Sequence, residues 1–381
     1  MSSSVLEINR AALENNIRFI RQMIGDDVII SVVVKGNAYG HGLGTVIPVF
    51  EEAGINHFSV FSSGGAKRAF RVKNENTHIM IMGYVDPDHL EWVIRHHISF
   101  FVFDIQVLRQ AILTARKLDI PACIHLEIET GLHRTGLDKK DLELAADVIN
   151  DNAGYLEITG VATHLAGAES IANHVRIMQQ FKLYEKRLKW LNKKGIVPKW
   201  RHTASSAAAV SYPRSRMDLV RIGIMSYGFW PTRETFLQYI HNQEDKTDPL
   251  QRAISWKSTI MSVKNVAEGE FVGYGFGFQA QQDMQIAVVP VGYSNGYSRM
   301  LSNNGHILVK GQRADVIGSV NMNMILINTT HIENVETGDE VVLLGSQGDY
   351  EISVASFADM NNSMNYELLA RLPERIERKI I

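Results

Sequence analysis

The sequence predicts an α/β fold, a (β/α)8 barrel of the TIM type followed by a mostly β C-terminal domain. Over roughly the first 240 residues, short apolar runs alternate with amphipathic stretches about eight times. The texture turns polar at residues 242–249. Short alternating runs separated by glycine-containing turns follow, which is the pattern of an all-β domain. We therefore expect two domains that meet at about residue 240.

Apolar runs rich in β-branched residues predict the strands of the barrel. These runs are Val28–Val34, His57–Phe61, His78–Ile81, Ser99–Phe103, Ile124–Ile128, Thr159–Thr163 and Leu219–Ile224. Helical periodicity between them predicts helices such as Ala11–Met23, Ile105–Lys117, Asp141–Ile149, Ile171–Lys193 and Ala204–Tyr212. Repeated strand–helix units predict a parallel sheet. A doubly wound open sheet competes, but no Gly-x-Gly-x-x-Gly pattern follows the first strand.

Six further runs alternate apolar and polar residues and predict the strands of the second domain. They are Ala253–Val263, Gln285–Val289, His306–Val309, Ala314–Ile317, Ile325–Asn328 and Glu340–Leu344. Turns such as Asn304-Gly305 and Gly338-Asp339 separate them.

The composition is that of a soluble globular enzyme, with 45% hydrophobic and 21% charged residues in 381. The net charge of −2 lacks the basic excess that binding to nucleic acid or to a membrane surface requires. Cys123 is the only cysteine, so no intrachain disulfide can form. The sequence shows no secretory signal and no apolar run of about 20 residues. We therefore expect a cytoplasmic protein.

Lys35 ends the first predicted strand and opens a glycine-rich turn, residues 36–42. A lysine in such a position is partly desolvated, and desolvation lowers its pKa toward the free amine. A free amine in a pocket can form a Schiff base, as lysines do with pyridoxal phosphate. From the local pattern alone, a lysine that reaches out of the strand end into water is the simpler interpretation.

Residues 33–42 read Val-Val-Lys-Gly-Asn-Ala-Tyr-Gly-His-Gly. This run closely resembles the cofactor-lysine motif of alanine racemases, in which alanine is usual at the position of Gly36, and further motifs recur in family order along nearly the whole chain. The resemblance implies that Lys35 holds pyridoxal 5'-phosphate and that the hydroxyl of Tyr39 contacts its phosphate. Without it, Tyr39 is a packed tyrosine with a solvated hydroxyl.

Residues 127–136 resemble the family segment Lys-x-Asp-Thr-Gly-Met-x-Arg-Leu-Gly. Arg134 falls on the arginine that contacts the phenolic oxygen of the cofactor and helps to place the substrate carboxylate, both of which suit a fixed guanidinium. Glu127 stands where many members have a carbamylated lysine. Both groups are anions, so we expect a permanent ion pair between Glu127 and Arg134. Without the resemblance, Glu127 and Glu129 belong to a solvated face.

His164 ends another predicted strand. The resemblance implies that it packs near the pyridine ring and touches the arginine at the ring nitrogen; an isolated histidine here is otherwise a hydrogen-bonded core group. Residues 202–208 resemble the family's His-x-Ala-Asn-Ser-Ala-Ala. Ser206 would offer its hydroxyl to the phosphate near a helix start. Ser205 replaces the usual asparagine, and without the motif the serine pair is a helix N-cap.

Residues 220–228 form a second strong match to the family. Gly223 and Ile224 would give backbone N–H groups to the phosphate, and glycine permits a close approach. Arg221 would face the pyridine nitrogen, where the alternative is a strand-end charge in water. An arginine there keeps the nitrogen unprotonated, which disfavours side reactions such as transamination.

The β domain carries the second catalytic group by resemblance. Residues 272–278 contain Gly-Tyr-Gly, similar to the family segment whose tyrosine is the partner base, and this assigns Tyr274. Alone, the tripeptide is typical of a turn. Residues 289–299 closely resemble the family's Val-Pro-Ile-Gly-Tyr-Ala-Asp-Gly-Tyr-x-Arg and place Tyr293 at the substrate.

Residues 316–323 take the place of the family's Val-Val-Gly-Arg-Val-Cys-Met-Asp. Met322 keeps the backbone position that receives the substrate carboxylate; otherwise it is an ordinary core methionine. Three residues depart from the family pattern and alter the pocket rim: Ser319, Asn321 and Asn323.

Residues 365–367, Asn-Tyr-Glu, match a family tripeptide that a Tyr-Arg pair usually follows. The tyrosine of that pair narrows the substrate entrance, but here its place is taken by Ala370 or, in the other register, by Glu374. A wider entrance would admit serine or a larger side chain, because small pockets discriminate only modestly. The alternative is that another side chain refills the space.

We conclude that the sequence predicts a pyridoxal-phosphate-dependent alanine racemase without a metal, in which Lys35 and Tyr274 act on opposite faces of the substrate. The family implies a homodimer whose tyrosine comes from the partner subunit. The polar stretch at 242–249 predicts domains at 9–240 and 241–381, and the resemblance implies that residues 1–8 join the second. The alternatives are a serine or broad-specificity racemase, a decarboxylase of the same fold, and a non-catalytic carrier of the cofactor. The decarboxylase would need a cysteine in the β domain. A role in cell-wall synthesis, catabolism or resistance stays open.

Overall fold

The computed structural model describes residues 3–241, 243–354 and 365–381, which divide into two compact units. The barrel unit holds residues 11–35 and 46–252. The β unit holds the described part of residues 1–10, 36–45 and 253–381. The β unit therefore includes the first strand, β1 (Ser4–Ile8), and the turn that directly follows Lys35.

Eight parallel strands form the barrel unit. They are β2 (Ile29–Val33), β3 (His57–Val60), β4 (His78–Ile81), β5 (Ser99–Val102), β6 (Ala122–Glu127), β7 (Leu156–Ala162), β8 (Trp200–His202) and β9 (Leu219–Ile222). Their order in the sheet, β8-β7-β6-β5-β4-β3-β2-β9, brings the seventh and eighth barrel strands to its two edges. Most residues of these strands are buried, because helices cover their outer face and side chains fill the interior.

Backbone hydrogen bonds between the two edge strands close the barrel. The N–H of Asp218 donates to the carbonyl of Arg201 across 3.1 Å, and that of Arg221 donates to Ala204 across 3.0 Å. Ser205 and Arg221 form a parallel bridge at the same place. The predicted (β/α)8 barrel is confirmed, and the open-sheet alternative is wrong.

Ten right-handed α-helices are present among the described residues, besides the left-handed turn Lys35–Tyr39 and short 3-10 helices. Their bounds are Arg10–Ile24, Leu43–Glu52, Ser63–Phe70, Leu90–Arg95, Ile105–Leu118, Lys139–Asn150, His174–Lys193, Ser206–Ser211, Arg233–His241 and Asn365–Arg371. Aspartate side chains begin two of the long barrel helices: Asp104 accepts from the N–H of Val107, and Asp138 accepts from Asp141, each at 2.9 Å. Such caps satisfy N–H groups that have no partner within the helix.

The predicted barrel strands differ from the observed ones mainly at their ends, and β8 is not among them. β8 has three residues, one of which is the exposed Arg201. So short a strand lacks the apolar run by which strands are recognised.

The β unit contains a ten-stranded sheet in which most neighbours run antiparallel. Its strands after β1 are β10 (Ile254–Thr259), β11 (Ser262–Val266), β12 (Met284–Val289), β13 (His306–Val309), β14 (Gln312–Ile317), β15 (Ile325–Asn328), β16 (Glu340–Gln347), β17 (Tyr350–Ile352) and β18 (Glu377–Ile380). β1 pairs antiparallel with β10 and parallel with β18, so the chain's first strand lies within this sheet, as expected. The predicted strand Ala253–Val263 is two strands, β10 and β11.

The turn after Lys35 has an unusual backbone. Gly36, Asn37, Ala38 and Tyr39 all have φ between 50° and 59°, the left-handed region that residues with a side chain rarely adopt. Gly40 follows with φ 83°, and a Cβ there would lie 2.0 Å from the carbonyl oxygen of Leu369. Glycine is therefore required at position 40 for two reasons: the positive φ, and the helix Asn365–Arg371 that leaves no room for a Cβ.

Among the described residues, no helix combines the length and the apolar composition that crossing a membrane requires.

Candidate active site

Lys35 lies two residues beyond the buried end of β2, at the carboxyl-terminal edge of the barrel strands, where barrel enzymes carry their chemistry. The hydroxyl of Tyr227 donates to the carbonyl of Val33 across 2.9 Å and fixes this strand end. Partial burial removes water from the amine of Lys35 and lowers its pKa, and the charges of Arg134 and Arg221 lower it further. Its side chain still reaches solvent in the single chain. A lysine with a lowered pKa is a better nucleophile and a better base near neutral pH.

Arg134 lies in the loop after β6, which other barrel elements hold in place. The N–H of Leu137 donates to the carbonyl of Glu127 across 2.8 Å, which closes the base of the loop. Arg187, on the helix His174–Lys193, donates to the carbonyls of Glu129 and Leu137. The loop therefore presents the exposed Arg134 from a fixed base.

The expected ion pair between Glu127 and Arg134 is wrong. Glu127 is buried, with 4% of its surface exposed, and one of its carboxylate oxygens has no hydrogen-bond partner. Within the described part of the chain, Arg134 forms no ion pair within 4 Å. Burial raises the pKa of Glu127, and the Thr135 hydroxyl and the charges of Arg221 and Arg134 offset only part of this rise. The carboxyl shares its pocket with the arginines without bonding to them, and the alternative of a solvated face is also excluded.

Arg221 is a buried guanidinium near the end of β9, with 5% of its surface exposed. Its Nη1 donates to Nδ1 of His202 across 2.6 Å and to the carbonyl of His202 across 3.1 Å. Its Nη2 donates to the carbonyls of Thr163 and Thr203 across 2.9 Å and 3.4 Å. All four Nη hydrogens of Arg221 thus have acceptors. Its Nε–H is the one guanidinium hydrogen that has no acceptor among the described residues. The interpretation of Arg221 as a charge in water is wrong.

His164 follows β7 and lies among three positive groups. Burial, and then the charges of Arg221, Arg134 and Lys35, lower the pKa of His164 to about 3. The ring is therefore neutral at physiological pH. No hydrogen bond joins His164 to Arg221 among the described residues, and the contact that the resemblance implies stays a prediction.

Ser206, Gly223 and Ile224 adjoin one another where β8 and β9 end. Ser206 is the first residue of a short helix, and its hydroxyl accepts from the N–H of Gly223 across 2.9 Å. Ser205 caps that helix by accepting from the N–H of Ala208. In barrels of this class, the loops after the seventh and eighth strands and a short helix form a phosphate site. The three predicted residues occupy that place.

The barrel unit's groups fit pyridoxal 5'-phosphate. Lys35, Arg134 and Arg221 concentrate positive charge, and none of them has an acidic partner within 4 Å in the described ranges. An aldehyde with a phosphate, a phenolate and a ring nitrogen would offer each group a counterpart: the amine, the serine and glycine, Arg134, and the Nε–H of Arg221. No cluster of side chains in the described part of the chain is arranged to hold a metal ion.

Tyr39 lies in the left-handed turn of the β unit. Its ring packs edge-on against Tyr366, with the centroids 6.0 Å apart. Burial and then the proximity of Tyr366 raise the pKa of Tyr39. Ala370 lies on the same helix as Tyr366, and a Cβ at Gly36 would stand 3.7 Å from its Cβ. Of the two residues that take the place of the entrance tyrosine, Ala370 is thus the one packed beside the lysine turn.

Tyr274 stands at the tip of an anchored loop between β11 and β12. The N–H of Val272 donates to the carbonyl of Phe278 across 3.0 Å and closes the loop. Val272, Ala280 and Phe278 pack into a core cluster of the β unit. Tyr274 is nevertheless 77% exposed and the neighbouring Phe276 is 87% exposed. A phenol is therefore held out to solvent on a fixed support.

Tyr293 and Met322 lie side by side on the β unit. The N–H of Tyr293 donates to the carbonyl of Asn321 across 3.0 Å, and that of Ser294 donates to Met322 across 2.9 Å. Tyr293 is 42% exposed and Met322 is 55% exposed. Met322 is therefore not a core methionine. Asn323 donates to the hydroxyl of Ser294 across 2.9 Å, so one of the departures from the family pattern stabilises this junction.

The direct partner of Arg221, His202, was not assigned a role from the sequence. A signal was present, because His202 opens the matched segment 202–208 and ends a barrel strand. Inward-facing polar residues at strand ends are the usual position for functional groups in barrels.

Profiles of two protein domains match almost the whole chain. The profile of the alanine racemase N-terminal domain matches residues 8–231, and that of the alanine racemase C-terminal domain matches residues 253–380.

Full-length proteins give the same result. An alanine racemase of Desulforamulus reducens is 34% identical, over 98% of this chain and 98% of its own length. Alanine racemase 1 of Caldanaerobacter subterraneus is 32% identical, over 98% of this chain and 93% of its own. The crystal structure of a Bacillus anthracis alanine racemase with bound L-Ala-P is 29% identical, with a TM-score of 0.91, and covers 100% of this chain and 95% of its own. That of Streptomyces lavendulae is 28% identical, with a TM-score of 0.90 and coverage of 100% and 97%.

Proposed function

Because this chain belongs to the alanine racemase family, we propose that it interconverts L- and D-alanine with two bases, Lys35 and Tyr274. The family depends on pyridoxal 5'-phosphate, and alanine racemase activity follows from a likeness that spans both domains. The observation that carries the two-base assignment is the contrast between these residues. Lys35 is an amine whose pKa is lowered near two arginines, and Tyr274 is an exposed phenol on an anchored loop.

The cofactor, when bound, supplies an electron-withdrawing ring that acidifies the α-hydrogen of the amino acid. Lys35 exchanges that proton on the face from which the D-enantiomer is formed, and Tyr274 exchanges it on the opposite face. One base removes the proton while the other delivers one, which inverts the configuration without a metal. Tyr293 and Met322 line the substrate side that Tyr274 brings with it.

The barrel's cationic and hydroxyl groups position the reacting atoms. Arg134 would hold the substrate carboxylate and the phenolic oxygen of the cofactor. Arg221 would offer its Nε–H to the ring nitrogen, and a guanidinium gives up its proton too reluctantly to protonate that nitrogen. The neutral His164 would pack beside the ring, while Ser206, Gly223, Ile224 and Tyr39 would hold the phosphate.

We further propose a homodimer in which Tyr274 serves the active site of the partner subunit. Large exposed side chains on the β unit support a covered surface, since such groups are normally buried in an interface. They are Phe271, Tyr274, Phe276, Tyr293, Met300 and Met322. Phe271 and Phe276 pack edge-on at 5.1 Å, so they form a preorganised pair. A cytoplasmic location and a role in cell-wall synthesis stay predictions.

The function is tested by incubating the holoenzyme with L-alanine in D2O and following both α-hydrogen loss and product chirality. The proposal requires deuterium at Cα and the appearance of D-alanine. Release of CO2 would indicate a decarboxylase, and no exchange would indicate a carrier protein. Serine, lysine and arginine in the same assay measure the breadth of the specificity, and a preference for serine would contradict alanine as the main substrate.

The shared site is tested by mixing two inactive variants, Lys35→Ala and Tyr274→Phe. Random reassociation gives one intact site in each mixed dimer, so about a quarter of the wild-type activity should return. Mixtures made without dissociating the dimers are the control and should stay inactive. No recovery after demonstrated exchange of subunits would contradict a site that uses both chains.

A further inference from the structure

A hydrogen-bond chain continues from Arg221 into the barrel interior, beyond the residues that meet cofactor or substrate. Nη1 of Arg221 donates to Nδ1 of His202 across 2.6 Å, and Nε2 of His202 lies 2.9 Å from Nδ1 of His125. His125 and His202 are fully buried. The rings of Phe101 and Trp200 lie against the pair: Trp200 stacks on His125, and Phe101 contacts both histidines.

The direction of this chain follows from the chemistry of its first member. A guanidinium can only donate, so Nδ1 of His202 must be unprotonated and its proton must sit on Nε2. Nε2 therefore donates, and Nδ1 of His125 must accept. Complete burial, and then the charges of neighbouring groups that include His57 and Arg221, hold the pKa values of His125 and His202 well below their usual range, so both rings are neutral. Both histidines therefore carry their proton on Nε2, and in His202 this tautomer satisfies Arg221 on one side and His125 on the other.

Gly160 makes room for the histidine pair. It lies on β7, between β6 with His125 and β8 with His202, and a Cβ there would stand 2.1 Å from Nδ1 of His125 and 3.0 Å from Nε2 of His202. The pairing of β6 with β7 shifts register at this point: Ile124 pairs with Ile158, and His125 pairs with Gly160. A β-bulge of this kind re-aims a residue without ending the sheet. The local backbone thus brings the one residue without a side chain opposite the histidines.

We propose that His125 is a positioning residue of the reaction: acting through His202, it orients the guanidinium of Arg221 and so directs the bound amino acid to proton exchange instead of transamination. This inference rests on the proposed function, because it requires Arg221 to face the ring nitrogen. In transamination, alanine would give both its α-hydrogen and its α-amino group to the cofactor's aldehyde carbon, and the aldehyde oxygen, exchanged by way of water, would become the carbonyl oxygen of the departing pyruvate. Without an acceptor at His125, His202 can take the other tautomer, whose Nδ1–H opposes the N–H of Arg221. The guanidinium then loses one of its four fixed bonds and turns.

The first test reads the tautomers of the wild-type apoprotein by ¹⁵N NMR of selectively labelled histidines, which needs neither cofactor nor turnover. We expect the Nε2–H tautomer for both His125 and His202, unchanged between about pH 8 and about pH 6. A proton on Nδ1 of His202 would overturn the inference. The expected tautomers do not depend on the proposed function. If the proposed function is wrong, the wild-type holoenzyme will not racemise alanine, and this result is separate from the NMR measurement.

The second test compares two substitutions of His125. In His125→Asn, Oδ1 can replace Nδ1 as the acceptor, whereas His125→Leu fills the space without one. For His125→Leu we expect two tautomers of His202 and a rise of about tenfold in pyruvate formed per racemisation event, a factor that corresponds to a modest change in relative barriers. His125→Asn should restore the wild-type ratio. An unchanged ratio in folded His125→Leu would overturn the inference.

Gly160→Ala tests the same chain through the backbone. The added methyl would push His125 from His202, so its effect on the tautomer and on the pyruvate ratio should match that of His125→Leu. Gly154→Ala is the matched control, because no atom lies within 4 Å of a Cβ at Gly154. A Gly160→Ala protein with the wild-type tautomer and the wild-type ratio would contradict the role assigned to the pair.

Discussion

The guanidinium of Arg221 donates a hydrogen bond to Nδ1 of His202 across 2.6 Å. This short contact requires a neutral imidazole beside a permanent cation, so it ties the charge state of one residue to that of the other. The other buried histidines of the chain must also be neutral. This requirement affects the stability of the protein whether or not the cofactor is bound.

Stability should fall when the pH drops below about 6.5, the value at which histidines titrate in the unfolded chain. Burial lowers the pKa of six histidines: to about 4 for His41, to about 3 for His57 and His164, well below the usual range for His125 and His202, and in the same direction for His78. Below this pH, the unfolded chain binds protons at these histidines, whereas the folded chain does not. Each histidine then removes about 1.4 kcal/mol of unfolding free energy per pH unit.

This pH dependence is measured by urea unfolding of the apoprotein at about pH 7.5 and about pH 5.5, with one histidine replaced at a time. His57→Asn should make the stability less dependent on pH. His97→Asn is the control, because His97 is exposed and its φ of 51° suits asparagine. Equal pH dependence in both variants would contradict the assignment.

Glu127→Gln should stabilise the protein at alkaline pH. The pKa of Glu127 is raised by burial, so the carboxyl's contribution to stability is complete below about pH 4.3 and is lost as the pH rises through the folded-state pKa. At about pH 8, glutamine should raise the free energy of unfolding by an amount on the order of 1 kcal/mol, and at about pH 5 by less.

Urea unfolding at the two pH values checks this prediction, with Glu143→Gln as the control because the Glu143 side chain is 52% exposed. Destabilisation of Glu127→Gln at about pH 8 would show that the carboxylate is held by an arginine after all. That result would restore the ion pair expected from the sequence.

Gly40→Ala should destabilise the protein far more than Gly54→Ala, although the two glycines have almost the same φ, 83° and 86°. Both substitutions cost about 1 kcal/mol for the left-handed backbone. Gly40→Ala adds a clash with the carbonyl of Leu369, whereas no atom lies within 4 Å of a Cβ at Gly54. We expect a total of roughly 3 kcal/mol or more at Gly40. Similar free energies of unfolding would argue against the packing of the lysine turn.

Lys35→Ala should abolish both turnover and the absorbance band of the covalently held cofactor, because no second amine replaces Lys35. Lys182→Ala, at an exposed position on the helix His174–Lys193, should keep both. Absorbance spectra of the purified variants after dialysis check this prediction. Retention of the band in Lys35→Ala would assign the cofactor to another lysine.

The barrel could be predicted from the sequence because its strands are apolar runs. The exception is β8, whose three residues are too few to form a recognisable run. The sequence placed Lys35 and Arg221 at strand ends, and topology alone brings those ends to one edge of the barrel, whereas Ser206 was predicted only near a helix start. The partners of Arg221 were less predictable. They depend on side-chain direction and on a β-bulge opposite His125, and neither leaves a periodic signal.

The ion pair expected for Glu127 failed for a physical reason. Charge complementarity was inferred from residue types, but an ion pair also needs reach and solvation. Arg134 lies on an exposed loop tip, whereas Glu127 is the buried last residue of β6. A one-dimensional pattern gives the signs of two charges and not the distance between them.

Tyr274→Phe tests the two-base assignment most directly. The phenyl ring should keep the loop and the cofactor absorbance, because Tyr274 is exposed and its hydroxyl supports no fold contact. In D2O, we predict that L-alanine loses its α-hydrogen at least about 100-fold more slowly than in the wild type, within the range expected for loss of a general base, while exchange from D-alanine through Lys35 is reduced much less. Equal exchange from both enantiomers at wild-type rates would contradict the assignment of Tyr274 as the second base.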